Sequence, residues 1–222
     1  MSLKDFVDPK IDRYLDGLLK VLDPVHASLS ALARKKSFQT SDGRTVPFPI
    51  IGPRIGAIVE QTARAGRVRR VFEFGSGFGY SAYWFARAIG KTGEIYLTDR
   101  SEDNLGAAKK QLSRLKNPPR FHFLQGDALE IFESVRGDFD AVFLDLDKKS
   151  YPEVLRKSVP RIKTGGFLIA DNALWSGKVA DPSRSDPETS ALRKFNRTIF
   201  SHPKLLSTIL PVRDGLAVCL KI

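Results

Sequence analysis

An α/β fold, a doubly wound and mostly parallel sheet finished by a C-terminal antiparallel hairpin, is predicted by three features of this sequence. From Arg70 onward short apolar runs alternate with helical patterns, and five such strand-and-helix units follow one another. The apolar runs are near-continuous, as expected of parallel strands covered by helices on both faces. The last two runs, "LLSTILP" and "LAVCLKI", are joined only across "VRDG". A connection that short makes an antiparallel pair, placed at the sheet's edge.

The elements follow in order. Residues 1–45 read as an N-terminal helical extension: Phe6, Ile11, Tyr14, Leu15, Leu18, Leu19, Leu22, Leu29 and Leu32 have helical spacing, interrupted at Pro9 and Pro24. Residues 46–222 form the main domain of a single-domain protein. The stretch 37–52, "SFQTSDGRTVPFPIIG", is rich in turn formers and reads as a loop, after which Pro53 opens a helix to about Ala65. Then come strand "VFEF", helix "SAYWFARAI", strand "EIYLTD", and helix "SEDNLGAAKKQLSRL" with Ser101 as its cap. Strand "FHFLQ", the helix around "ALEIFESV", strand "FDAVFLD", a helix from about Tyr151 to Ile162 and strand "GGFLIAD" continue the cycle. A polar loop through Pro187 leads to the helix "ETSALRKFNRTIF" and the closing pair.

With 222 residues, 42% of them apolar, the chain can bury a sizeable core. Its formal charge of +11 favours anionic partners at long range, but the basic residues are spread along the chain and do not by themselves mark a nucleic-acid site. The single cysteine, Cys219, excludes an intrachain disulfide and a cysteine zinc cluster, and sits in an apolar run as an inert thiol. The three histidines lack metal-ligand spacing. Without a signal-peptide pattern or a membrane-length apolar run, a cytoplasmic protein is expected.

Motifs gather at strand ends. The first strand of the cycle runs into "EFGSGFGYS", with Glu73, then glycines at 75, 77 and 79 before a helix. Such a loop lets the backbone approach a ligand where open parallel sheets bind their cofactors. Tyr80 breaks the dinucleotide fingerprint, and no Gly-Lys-Ser/Thr follows to make a P-loop. Ser76 has Phe74 where a hydrolase elbow needs glycine. Asp99 ends the next strand, placed to accept from ribose hydroxyls, and Asp127 in "GDA" follows the third. This edge suits a ligand with a ribose and an amine-bearing base but no phosphates.

The fourth strand ends in Asp145-Leu146-Asp147-Lys148, the fifth in Asp171-Asn172. If these strands are neighbours, their ends lie roughly 5 Å apart. Asp145, Asp171 and the amide oxygen of Asn172 then make an all-oxygen site for magnesium, manganese or calcium in preference to zinc. The alternative is that the two aspartates only cap the turns after their strands.

"EFGSGFGYS", "TD" at 98–99, "GDA" at 126–128, "FLDLDKKSY", "GGFLIADNALWSGKV", "FN" at 195–196 and "LPVRDGLAV" resemble, in order and spacing, the cation-dependent O-methyltransferases of the caffeoyl-coenzyme A and catechol type. The resemblance covers about residue 45 to the C-terminus and is most specific in "DLDK" and "DNALW". It implies a seven-stranded class I methyltransferase fold, S-adenosylmethionine as donor, a divalent cation and a homodimer. Carried over, Glu73, Gly75 and Ser81 hold the methionine end of the donor, Asp99 its ribose, and Asp127 with Ala128 its adenine. Ile51, in "IIGPRIG", and Gly77 border the donor, although Gly77 stands where the family more often has a bulkier residue. Asp145, Asp171 and Asn172 match the metal ligands and Lys148 the catalytic base, with Asp145 beside it.

The implied reaction is methyl transfer to a hydroxyl of a phenolic vicinal diol. Chelation by the cation lowers the pKa of the attacking oxygen, and Lys148 takes its proton. To act near neutrality Lys148 must fall by about 3 units from about 10.4, a difference of about 4 kcal/mol. Lys149 is read as solvated surface. Two alternatives remain, an RNA methyltransferase and a non-catalytic cofactor-binding interaction protein. "NPPR" at 117–120 is a turn on this reading, because a base-methylating motif belongs after the fourth strand, where "DLDK" stands.

Overall fold

The structure, a computed structural model, describes residues 8–39, 43 and 45–222. Phe6 lies outside the described residues. The two N-terminal prolines start helices: α1 (Pro9–Gly17) is capped by Asp8, whose carboxylate accepts from Lys10 N at 2.7 Å, and α2 (Pro24–Lys35) by Asp23, which accepts from His26 N at 2.9 Å. Proline at the first helical turn loses no hydrogen bond, so the interruptions in the pattern are helix boundaries. The expected loop of residues 37–52 contains instead a short antiparallel pair, β1 (Ser37–Gln39) with β2 (Thr45–Pro47). Three-residue strands are too short to carry a readable period, which is why the sequence pattern misses them.

After α3 (Gly52–Ala65) the alternation runs as expected: β3 (Arg70–Phe74), α4 (Tyr80–Ile89), β4 (Glu94–Asp99), α5 (Glu102–Leu112), β5 (Arg120–Gln125), α6 (Ala128–Ser134), β6 (Phe139–Leu144), α7 (Tyr151–Ser158) and β7 (Ile162–Ala170). Ser101 caps α5 by accepting from Asn104 N at 3.3 Å. The helix expected to reach Ile162 stops at Ser158, and a single 3-10 turn, Val159–Arg161, takes over. Pro160 explains the stop, since it lacks the N–H an α-helix needs. Then α8 (Pro187–Ser201), β8 (Leu205–Leu210) and β9 (Leu216–Lys221) complete the chain.

The seven-stranded sheet has the order β5-β4-β3-β6-β7-β9-β8, parallel except that β9 is antiparallel to both neighbours. This is the class I methyltransferase arrangement. Strand residues alternate between two cores as the two-residue period demands. Val71, Ile95, Leu97, Ala141, Phe143 and Ile169 face the layer holding α3, α4 and α5. Phe72, Phe74, Val142, Leu144, Leu168 and Ala170 face α6, α7 and α8. Gly56 lets α3 lie on α4, because a Cβ there would fall 2.1 Å from the Trp84 ring.

The order reverses between β3 and β6, so the crevice at their C-terminal ends is the topological switch point where open α/β sheets bind ligands. Asn117, with φ of 56°, turns the chain into β5 at the opposite end of the sheet, as expected of a turn. Cys219 is buried, and burial pushes its thiol up to about 11, which makes it unreactive. No helix among the described residues is long and apolar enough to cross a membrane.

Candidate active site

The glycine loop leaves β3 and turns directly into α4. Gly75 has φ of 82°, and a Cβ on it would fall 2.3 Å from the carbonyl oxygen of Asp145. Asp145 N in turn donates to Phe74 O at 2.9 Å. The loop predicted to hold a cofactor and the loop predicted to hold a cation therefore touch, and only glycine permits that approach.

Glu73 is fully buried and accepts from the Ser81 hydroxyl, while its Oε2 has no partner. Burial raises its pKa most, opposed by the Ser81 hydrogen bond and assisted by the charges of Asp145 and Asp99, and the carboxyl is pushed up to about 8. A buried carboxyl with one free oxygen fits a ligand that brings a cationic donor, such as an amine. Ile51 is buried immediately before α3.

Asp99 fastens the loop from the neighbouring strand: Oδ2 accepts from Gly77 N at 3.0 Å, and Oδ1 from Ser101 N at 2.8 Å and Asn104 Nδ2 at 3.2 Å. Oδ2 keeps a lone pair for a further hydroxyl. Asp127 caps α6 through Leu129 N at 2.9 Å and Glu130 N at 3.3 Å, and its second oxygen meets the exposed Arg100 at 2.8 Å. Ala128, the first residue of α6, is half-buried.

β6 and β7 are hydrogen-bonded neighbours, with Leu144 opposite Ala170 and Asp171 N donating to Leu144 O at 3.0 Å. The strand ends bearing Asp145, Asp171 and Asn172 are thereby brought together, as the spacing predicts. Asp171 is buried and its Oδ1 has no hydrogen-bond partner. Burial first, then the charge of Asp145, pushes its carboxyl up to about 7, against the cations Lys148 and Arg213. Asn172 takes the left-handed conformation, φ of 58°, which asparagine tolerates. Its Nδ2 faces Asp214 Oδ2 at 3.4 Å, and its amide oxygen makes no hydrogen bond among the described residues. No three His, Cys, Asp or Glu side chains cluster suitably for a metal among those residues, so a cation here would need an amide as third ligand. An orphaned buried carboxylate oxygen beside a second carboxylate and a free amide oxygen is a donor set that fits a hard divalent cation.

Lys148 is buried, whereas the side chain of Lys149 is 54% exposed and pairs loosely with Asp147 and Glu188. Lys148 Nζ donates to Asp145 Oδ1 at 3.0 Å and to the Tyr151 hydroxyl at 3.1 Å. That hydroxyl lies 2.9 Å from Asp171 O and 3.2 Å from Leu144 O, and one of these carbonyls takes its proton. Burial lowers the lysine pKa, but Tyr151, Asp145 and Asp171 outweigh it and the net direction is upward. The sequence argument required a fall, and the reason for the difference is the combined pull of Tyr151, Asp145 and Asp171 on the ammonium.

Tyr151 and Asp214 were missed by sequence reasoning. Tyr151 follows Lys148 by three residues, a spacing that puts both side chains on one side of a turn. Asp214 lies in the β8–β9 turn, where its Oδ1 accepts from Ser176 N and its carbonyl from Leu174 N at 3.0 Å. The only hint was a charged residue in a hairpin turn. The structure also shows an open recess of about 550 Å³ lined by Val179, Ala180, Pro182, Arg193, Asn196 and Arg197. Arg193 is committed there to the carbonyls of Val179, Lys178, Asp181 and Arg184, which gives it a structural role.

A family model described as O-methyltransferase matches residues 55–222. The chain belongs to this O-methyltransferase family. As a member it is an S-adenosylmethionine-dependent enzyme, and the matched region contains the glycine loop, Asp99, Asp145, Lys148, Asp171 and Asn172. A protein named catechol O-methyltransferase from Niastella koreensis is 26% identical over 219 residues, 95% of this chain and 96% of the relative. A methyltransferase structure from Geobacter sulfurreducens is 28% identical with a TM-score of 0.78, covering 97% of this O-methyltransferase and 99% of its own chain. The O-methyltransferase TomG from Streptomyces achromogenes, solved in complex with SAM, shares the fold at a TM-score of 0.81 and 23% identity, over 96% of each chain.

Proposed function

We propose that this O-methyltransferase moves the methyl group of S-adenosylmethionine to one hydroxyl of a catechol-like small molecule, a vicinal diol, with the help of a divalent cation. Magnesium is the first choice, with manganese or calcium as alternatives. The observation that carries the reading is the partnerless buried Oδ1 of Asp171, set beside Asp145 and Asn172 on adjacent strand ends. A carboxylate withdrawn from water without a donor costs several kcal/mol, and a cation held by these oxygens would offset that cost. The relative named catechol O-methyltransferase supports the acceptor class.

When bound, the cation would supply the charge that lowers the pKa of an attached hydroxyl. Glu73, through its free Oε2, would hold the amine end of the donor, with Ser81 keeping the carboxyl oriented. Asp99 would take the ribose and the Asp127–Ala128 corner the adenine, while Ile51, Gly75 and Gly77 border the donor. Lys148, adjacent to Asp145, would receive the proton of the acceptor hydroxyl. The carboxylates now hold it protonated, so the role depends on their charge being compensated. Tyr151 keeps Nζ aimed at Asp145 rather than free to swing. Alignment of the two reactants is the main contribution of the protein. The buried, unreactive Cys219 fits a cytoplasmic enzyme, and the exposed apolar side chains Tyr14, Leu18 and Val21 around the N-terminal helices fit a homodimer.

The test is methyl transfer from labelled S-adenosylmethionine to a panel of vicinal-diol phenols, including caffeic acid and its coenzyme A ester, with magnesium and then with chelator. Activity that disappears with chelator is expected. Transfer that survives chelation would overturn the cation, and donor binding without transfer in either condition would overturn the acceptor class, with RNA tested next.

A further inference from the structure

The β8–β9 turn lies against the loop that follows β7. Ala173 N donates to Gly215 O at 2.9 Å, and Leu174 N and Asn172 Nδ2 reach the backbone and carboxylate of Asp214. Arg213 thus sits one residue from the group that faces a candidate cation ligand. Its guanidinium crosses to the start of α3, where a Cβ on Gly52 would fall 2.4 Å from Nη1. Arg213 therefore spans from the Asp171–Asn172 loop to the Ile51–Gly52 corner.

No hydrogen bond or ion pair among the described residues rewards that placement. Arg213 has φ of 51°, the left-handed region, which strains a residue with a Cβ. It makes no hydrogen bond or ion pair to any described residue. Its charge lies at the N-terminus of α3, where the helix dipole repels a cation. Arg54 at the same end of α3 is handled differently: Asp12 and Asp16 of α1 pair with it at 2.8 and 3.1 Å. Arg213 is exposed and unpaired, yet its charge is felt by Asp171 and Asp214 on one side and by Tyr80 and Asp12 on the other. Strain kept at a site rim with no hydrogen bond or ion pair in return points to a use outside the fold. A guanidinium fork recognises a carboxylate through two parallel hydrogen bonds.

We propose that Arg213 determines acceptor specificity by binding a carboxylate carried on the side chain of the diol, so that the preferred acceptor is an anionic catechol. This rests on the vicinal-diol reading above. Arg213 is a recognition residue: the reacting oxygens and the methyl lie elsewhere, and its contribution is to acceptor affinity.

A matched pair tests it, 3-(3,4-dihydroxyphenyl)propanoate and its methyl ester, whose ring hydroxyls are electronically alike. Turnover is measured with magnesium, and binding by calorimetry with S-adenosylhomocysteine and magnesium present. Wild type should favour the acid by about tenfold or more in KM and in binding, the range of a charge-assisted hydrogen bond. Arg213→Gly removes the guanidinium and relaxes the left-handed turn. It should unfold at an equal or higher temperature, lose the preference for the acid, and keep kcat and KM for the ester within about twofold. Arg213→Lys should keep part of the preference. If wild type uses acid and ester equally, or Arg213→Gly weakens both alike, the specificity assignment is overturned while the diol reading stands. If neither compound is bound or methylated, both fall together.

Discussion

Replacing Glu73 with glutamine should make the ligand-free protein increasingly more stable than wild type as pH rises. Burial, with help from the Asp145 and Asp99 charges and against the Ser81 hydrogen bond, pushes the folded carboxyl up to about 8 from 4.5. A carboxyl that holds its proton more tightly in the fold contributes stability that is full below pH 4.5 and is lost as pH climbs through 8. At about 1.4 kcal/mol per pH unit that interval amounts to at most about 5 kcal/mol, and relaxation around the ionised group trims it to about 3. Glutamine has no proton to lose, and it can still accept from Ser81. The assay is urea unfolding of both proteins, free of ligand and with chelator, from about pH 5 to pH 8.5. Asp171, pushed up to about 7, tilts both curves in the same sense and cancels in the difference. The gap should widen by roughly 2–3 kcal/mol across the range. Parallel curves would show that Glu73 ionises in the fold at its ordinary pKa, and the argument from its burial would be wrong.

Three further outcomes are expected. Gly75→Ala adds a Cβ 2.3 Å from the Asp145 carbonyl at a φ of 82°, so it should cost about 2–4 kcal/mol in thermal unfolding and weaken donor and cation binding together; an unchanged melting temperature would refute the contact. Asp171→Asn removes a buried charge, so without metal it should be more stable than wild type near pH 8, yet lose the magnesium-induced rise in melting temperature; a retained magnesium effect would place the cation elsewhere. Lys148→Ala should lower kcat by about 10²–10⁴-fold while S-adenosylhomocysteine affinity stays within about threefold, and a variant with normal turnover would remove Lys148 from the proton transfer.

The glycine loop of the candidate site was legible because its signals are local. "EFGSGFGYS" announces a turn that needs positive φ, and Gly75, Gly77 and Gly79 all adopt it. Ser101 was readable as a cap from its place before "EDNL". Asp127 was read as an adenine contact, whereas its visible work is capping α6 and pairing with Arg100, a through-space partner no spacing reveals. Lys148 was legible as a candidate but its charge state was not, because that depends on the simultaneous nearness of Asp145, Asp171 and Tyr151.

By itself the sequence determined the alternation of strand and helix, and hence that Glu73, Asp99, Asp127, Asp145 and Asp171 all lie at the same edge, since consecutive strands joined by helices run parallel. Strand order was decided only in the tertiary structure. It put β6 between β3 and β7, so that Asp145 meets Gly75 on one side and Asp171 on the other. The same packing buried Glu73 and Asp171 without full partners and carried Arg213 from the last hairpin to the start of α3. Periodicity reports which face of an element is apolar. Burial, charge and proximity between elements far apart in sequence are set by which surfaces close on one another, and these give the site its chemistry.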